Sequence, residues 1–392
     1  MGVKMESANS KKIKKDFEYF SNKNGFNYHK SDSIIAPEDS KLLFNISGGV
    51  KYQNELLGLK SSSEEKIASI QQCVRTDSIK SIGYSGRHHL FFEMLGHFMF
   101  YTASEKETKE EFIEFAYSFL TKNIGLEKDR LYMTVHPQDE ITMNIWKKLG
   151  SRNIIQSDSN VFISPYADKS SLRTEIKWQK DDREKSLIEL WNLVFTQFDS
   201  SNLFENPSKK IAADSGASLE RIVSAYENKC NNYDNSMWRE YVKYLTTLSD
   251  KGTIEEYRRL ADYFNTSAQI INEGIIPGNK VQPYVLRKML RTTFDICEDL
   301  DIDYENFISE YFKYNALNIT YLDLLKIVRN EFEKYNLAIK HGVSQAEKLI
   351  RKKGADNVDF NYIKSTCGLQ EKYITKLLSG EEIVLSKKMR HK

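Results

Sequence analysis

The sequence predicts an α+β fold, in which a sheet flanked by helices is followed by an all-helical stretch. Three observations lead there. Gln72 to Phe100 reads QCVRTDSIKSIGYSGRHHLFFEMLGHFMF and joins an arginine-ended strand to a long aromatic strand through a polar turn. Strand-like and helix-like patterns then alternate as far as Glu227. Near Asp250 the composition changes, and helical periods dominate beyond it. The domain boundaries follow that change: residues 1–250 form one domain and residues 251–392 a helical one.

Taken in order, the polar start MGVKMESANSKK is expected to fray. Ile13 to Phe26 is an entry helix, with Ile13, Phe17 and Phe20 at helical spacing. Ile67 to Arg75 is a strand ending on a cation. His88 to Phe100 carries too much Phe, Met and Leu for a surface and is a buried strand. Lys109 to Leu120 is an amphipathic helix with Phe112, Phe115, Ala116 and Phe119 on one face. Arg130 to His136 is a strand, and Glu140 to Leu149 a helix stopped by Gly150. WNLVF, from Trp191, is a buried strand, and Ala217 to Glu227 is a helix after a DSG turn. Further on come helices over Thr253 to Asn272, Pro283 to Asp299, with Val285, Leu286, Met289 and Leu290 inward, and Tyr321 to Arg351. The loop IPGNKVQP between the first two is fixed by Pro277, Gly278 and Pro283. The tail LSKKMRHK is basic and expected to be mobile.

The chain has 392 residues, enough for two domains with a full core each. Its 57 basic and 55 acidic residues nearly cancel, so overall charge does not announce a nucleic-acid binder. No apolar leader and no stretch approaching a membrane span is present, which points to a cytoplasmic chain. Cys73, Cys230, Cys297 and Cys367 are scattered without CxxC spacing, so reduced thiols are expected and no zinc site. Adjacent His88 and His89 on a strand would face opposite ways, which disfavours one shared metal.

Arg75 at the mouth of the aromatic hairpin can hold a carboxylate and a phosphate together, because a planar guanidinium matches both bidentately. A buried hairpin with a surface arginine accounts for the same residues. Likewise Asp214 can serve as a helix N-cap, His88 or His89 as a hydrogen-bonded core histidine, and Phe92 and Met94 as core.

The run GxSGRHHLFFEMLGHF resembles the second signature of the alanyl-tRNA synthetases, a class II family in which this stretch reads close to VGxTARHHTFFEMLGNFSF. Three further segments follow the family's order. SDSIIAPEDSKLLFNISGG is similar to SSSLVPxxDPTLLFTNAGM and includes Pro37. WNLVFTQF, Trp191 to Phe198, resembles WNLVFMQF, and DSGASLERI, Asp214 to Ile222, resembles DTGMGLERL. The resemblance implies a class II synthetase-like antiparallel sheet flanked by helices, and activation of alanine by ATP with Mg2+ before transfer to tRNA. It makes Arg75 the bridge between amino-acid carboxylate and α-phosphate, with Arg221 on the triphosphate and near adenine. Arg87, His88, Phe92, Glu93 and Met94 would complete the ATP site. Asp214 would anchor the substrate ammonium, Asn192 would add a hydrogen bond to it, Val194 would floor a methyl-sized pocket, and Gly216 would allow close backbone approach.

Two departures qualify the resemblance. The family's FWxxGxxGPCGPCSEI is VFISPYADKSSLRTEI here, so its pocket tryptophan becomes Phe162. From Arg259 onward the helices resemble the family's tRNA-reading part, with Asn279 at the position of the asparagine that reads the acceptor stem. Arg287, Lys288 and Arg291 offer phosphate contacts there or form a solvated helix face. Ser365, however, stands where a base-reading aspartate is expected. The family's editing and C-terminal domains are not found in these residues, which fit either a monomer or a dimer formed through an exposed helical face. An enzyme that adenylates an amino acid for a non-tRNA acceptor is the alternative, and a non-catalytic relic a third.

Overall fold

The computed structural model describes residues 7–101, 103–180, 186–315, 317–354, 359–381 and 383. The expected mobile tail and the first six residues lie outside them. Nine strands among the described residues form one sheet: β1 (Asn27–His29), β2 (Lys66–Val74), β3 (Phe91–Phe100), β4 (Leu131–Val135), β5 (Ile154–Gln156), β6 (Val161–Ile163), β7 (Ser170–Trp178), β8 (Ile188–Phe198) and β9 (Pro207–Ser218). The helices are α1 (Ala8–Lys23), α2 (Gln53–Leu56), α3 (Glu105–Ser118), α4 (Glu140–Lys148), α5 (Leu219–Tyr226), α6 (Arg239–Leu248), α7 (Ile254–Asn272), α8 (Val281–Leu300), α9 (Tyr304–Tyr314), α10 (Tyr321–Lys353), α11 (Phe360–Cys367) and α12 (Glu371–Leu378).

Strand order is β1-β2-β3-β9-β8-β7-β4-β5, with β6 pairing β7 off this path. The expected antiparallel sheet is thus mixed at its margins. Its six central strands pair antiparallel, whereas β1 runs parallel to β2 and β5 parallel to β4. Both parallel edge strands are three residues long, too short to carry a readable alternation.

The start of the chain does not fray as far as expected. Ser7 caps α1 by accepting from Ser10 N–H, and Ser7 and Ser10 are buried, so the helix begins at Ala8. Its inward stripe lays Phe17 edge-on against Phe115 and Phe119, at 6.0 and 5.3 Å between ring centroids. α3 starts at a Ser104–Glu107 capping box and buries Phe112, Phe115 and Ala116, and Phe119 follows in the next turn. Lys109, also buried, is neutralised by Asp139 at 2.9 Å and Glu105 at 2.7 Å, which ties α3 to the start of α4.

The hairpin strand predicted from His88 begins at Phe91, because His88 to Leu90 still belong to the connection. The predicted DSG turn is not a turn. β9 runs on to Ser218, paired on both sides, and Ser218 rather than Asp214 caps α5. Of the described helices, none is long and apolar enough to cross a membrane.

Candidate active site

A cavity of about 330 Å3 opens over the centre of the sheet. β3, β8 and β9 floor it, and their pleat decides which side chains face in. On β3, Phe92 and Met94 line the cavity. Glu93, between them, points to the other face, where it pairs with Lys14 of α1 at 3.0 Å. On β9, Asp214, Gly216 and Ser218 alternate inward. On β8, Glu189, Asn192 and Val194 do so, although the first two are three residues apart. A bulge reconciles them: Trp191 pairs with Ile176 and Glu189 with Lys177, so Leu190 is left without a partner on β7. Register then sets Val194 opposite Asp214 and Asn192 opposite Gly216.

Gly216 lies within β9, not in a turn, and Met94 packs close above it: a Cβ there would lie 2.8 Å from Met94 Sδ, so the Met side chain would have to shift. Asp214 sits half-buried on the floor, and burial is what pushes its carboxyl up to about 7. Nearby, Asn192 Oδ1 is buried without a hydrogen-bond partner among the described residues. This end of the cavity therefore offers two acceptors awaiting a donor.

The opposite end is cationic. Arg75 leaves the end of β2, donates through Nε to the Ile46 carbonyl at 2.7 Å, and holds its guanidinium 5.1 Å from the Phe92 ring centroid. Arg221, from the first turn of α5, donates through Nη1 to the Glu189 carbonyl at 3.1 Å, and that nitrogen lies 3.7 Å from the Glu189 carboxylate. Burial is the main influence lowering the Arg221 pKa, and Arg75 and Arg87 add to it. Three arginines facing one space repel one another unless an anion enters. Arg87 is steadied by Ser186 Oγ at 2.6 Å and the Leu187 carbonyl at 3.2 Å. His88, held by Ser85 Oγ, has its pKa lowered by burial first and by Arg221 next, so at neutral pH it is a hydrogen-bonding group, not a cation.

The sequence-expected residues Arg75, Arg87, His88, Phe92, Met94, Asn192, Val194, Asp214, Gly216 and Arg221 line this one cavity. Two others do not. Glu93 is on the far face of the sheet, and Phe162 lies on β6, 46% exposed and paired with Ser171. Ser47, Gly49, Ser78, His89, Glu189, Ser215 and Ser218 also line the cavity and were not anticipated. Glu189 carried one signal, an acid at the head of a buried strand.

Asn279, Arg287, Lys288 and Arg291 lie apart from the cavity, on α8 and the loop before it. Asn279 Oδ1 accepts from Arg287, and Arg287 and Arg291 both pair with buried Glu331, at 3.2 and 2.9 Å. Lys288 is exposed. Ser365, on α11, is exposed and donates to the Tyr362 carbonyl at 3.2 Å.

Among known proteins, residues 12–363 match the family described as tRNA synthetases class II (A). Alanine–tRNA ligase of Orientia tsutsugamushi is 29% identical over 377 residues, covering 86% of this chain and 42% of that protein. The enzyme of that name from Petrotoga mobilis is 31% identical over 316 residues, covering 73% and 35%. The chain thus spans about two-fifths of the length of the curated relatives it matches. Among solved structures, apo histidyl-tRNA synthetase of S. aureus aligns with a TM-score of 0.39 and 11% identity, covering 56% of this chain and 65% of that one.

Proposed function

Because the chain belongs to the class II (A) tRNA synthetases, we propose that it condenses alanine with ATP and passes the alanyl group to the 3′ end of tRNA. The observation that carries this reading is the polarity of the cavity, cationic at the Arg75, Arg87 and Arg221 end and furnished with Asp214 and the unpartnered Asn192 Oδ1 at the other. A zwitterion and a polyphosphate, laid head to tail, satisfy both ends.

Chemically, a carboxylate oxygen of alanine attacks the α-phosphorus, an O–P bond forms, and pyrophosphate leaves. The carboxylate is ionised at neutral pH, so no general base is required and alignment with charge stabilisation does the catalysis. Arg75 bridges carboxylate and α-phosphate, Arg221 and Arg87 take the remaining phosphates, and Phe92 and Met94 pack against adenine. Asp214 and Asn192 hold the ammonium, and Val194 bounds the methyl pocket. Glu189, the carboxylate at the cationic end, suits Mg2+, which is held by few carboxylates together with substrate phosphates. Bound there, the ion would neutralise charge building on the pyrophosphate. The terminal ribose hydroxyl of tRNA then attacks the alanyl carbonyl and AMP departs. On this reading residues 1–250 carry the aminoacylation chemistry and residues 251–392 meet the tRNA, in the cytoplasm.

Amino-acid-dependent exchange of pyrophosphate into ATP, run across all twenty amino acids, tests the proposal. Alanine should support exchange, and its absence with every amino acid would overturn the reading. Transfer of labelled alanine to total tRNA should follow, and exchange without transfer would reassign the acceptor. Serine should also support exchange, within about 100-fold of alanine, because one added hydroxyl is poorly excluded from an apolar pocket. Rejection of serine by about 10⁴-fold or more would instead mean a built-in steric or polar filter against it.

A further inference from the structure

The ladder between β3 and β9 is open at one place. Met94 and Leu95 pair with Ser218 and Ala217, and Phe98 to Phe100 pair with Asp214 to Ala212, but the register skips Gly96 and His97, opposite Gly216 and Ser215. The two strands run close together there, since a Cβ on Gly96 would lie 2.9 Å from the Ser215 carbonyl oxygen. A side chain closes the gap instead: His97 N–H donates to Ser215 Oγ at 3.0 Å. Asp214 and Gly216, on either side of Ser215, face the cavity, and the two-residue period of the strand sends the Ser215 hydroxyl the other way, to the His97 ring.

His97 is fully buried between α3 and the sheet. Its ring stacks on Phe112 and Phe115 at 3.7 and 4.4 Å, and Trp191 of β8 meets it edge-on at 5.6 Å. Burial pushes its pKa down to about 3, so the ring is neutral and carries one proton. Nε2 lies 3.1 Å from the Phe112 carbonyl, which can only accept, so the proton is on Nε2 and Nδ1 is an acceptor. The Ser215 hydroxyl therefore donates to Nδ1, at 2.6 Å, with the His97 carbonyl, at 3.3 Å, the longer of its two acceptors. A chain of bonds thus runs from α3 through the imidazole to the middle residue of the segment that floors the cavity.

We propose that His97 and Ser215 are positioning residues for the amino acid: the imidazole locks the Ser215 hydroxyl, and the hydroxyl holds β9 to β3 where the ladder is open, so that Asp214 keeps the direction in which it meets the substrate ammonium. This rests on the reading of Asp214 as the partner of that ammonium, and both residues act through it. With the bridge gone, β9 is tied at Ser215 only to Leu193 of β8, and Asp214 is free to tilt. The effect falls on alanine, because Arg75, Arg87 and Phe92, at the nucleotide end, stand on other segments.

Pyrophosphate-exchange kinetics and calorimetric Mg·ATP binding, both on the full chain, test the link. Ser215→Ala is expected to raise KM for alanine about tenfold, the worth of one hydrogen bond, with Mg·ATP affinity and kcat unchanged. Ser215→Thr, which keeps the hydroxyl, should restore KM. His97→Phe keeps a stacking ring but removes both nitrogens and should match Ser215→Ala, and the double variant should be no worse than either alone, because each breaks the same link. An unchanged KM in a folded Ser215→Ala, a loss spread equally over alanine and Mg·ATP, or additive losses in the double variant overturns the proposal. Should the variants fail to fold, imidazole nitrogen shifts of the wild-type chain decide it. Nδ1 should stay unprotonated from about pH 5 to 8 and shift when alanine saturates the site, whereas a protonated Nδ1, or one blind to alanine, overturns the link. If Asp214→Asn leaves KM for alanine unchanged, the reading of Asp214 itself falls, and this proposal with it.

Discussion

Arg75→Ala is expected to lower alanine-dependent pyrophosphate exchange by about 10³-fold, nearly all of it in kcat. In the proposed reaction the guanidinium stands where the attacking carboxylate and the α-phosphate approach each other, and charge on the phosphate oxygens builds only as the O–P bond forms. Removing a preorganised donor from such a centre costs about 10²–10³-fold, and a fork that aligns both reactants belongs at the upper end. Stability should barely move. The lost Nε bond to the Ile46 carbonyl is worth about 1 kcal/mol, and among the described residues the side chain has no ion pair that its loss would orphan. Arg75→Lys should recover little, since an ammonium restores the charge without the planar fork. Melting temperature and single-turnover rates measured together check this, and exchange within about tenfold of wild type would remove Arg75 from its assigned place.

The membership of the cavity was more legible in the sequence than its geometry. Arg75, Asp214 and Arg221 stand in short, ordered segments that resemble the family's signatures, and those segments converge on one cavity because β2, β3, β8 and β9 are neighbours. Glu93 shows the limit of reading by proximity in sequence. It lies between Phe92 and Met94, and the two-residue period of a strand sends it to the opposite face. Glu189 shows the converse, because strict alternation separates it from Asn192 and a single unpaired residue at Leu190 reunites them. No local pattern announces that bulge. The glycine two residues after Asp214 suggested a turn, yet Gly216 lies within β9, close under the side chain of Met94 on the neighbouring strand. The bond between His89 and Asp262 joins residues 173 positions apart, and nothing in either neighbourhood foretells it.

Asp214→Asn should raise KM for alanine by about 10²–10³-fold while leaving ATP binding intact. The carboxylate is the only charged group proposed to face the ammonium, and truncating one side of a desolvated charge pair costs about 2–5 kcal/mol. The same burial sets a pH dependence. Held at about 7 against an ordinary 3.8, Asp214 is protonated in the free enzyme below neutrality and must lose that proton to receive an ammonium. Wild-type kcat/KM for alanine should therefore climb about tenfold per pH unit below 7 and level off above it, and the variant should lack that limb. His88, with its pKa lowered below the ordinary 6.5, leaves the neutral region clear. For the fold the sign is reversed. Between 3.8 and about 7 the native chain keeps a proton that the unfolded chain has released, so Asp214 erodes stability as pH rises through that window. By pH 8 the free enzyme bears a cost on the order of 2 kcal/mol, allowing for cavity water. Asp214→Asn should then unfold at higher denaturant than wild type at pH 8 and at a similar concentration at pH 4. A residue that weakens the empty protein while holding the substrate has the energetic signature of a binding group, and a variant no more stable than wild type at pH 8 would argue that Asp214 is an ordinary part of the sheet.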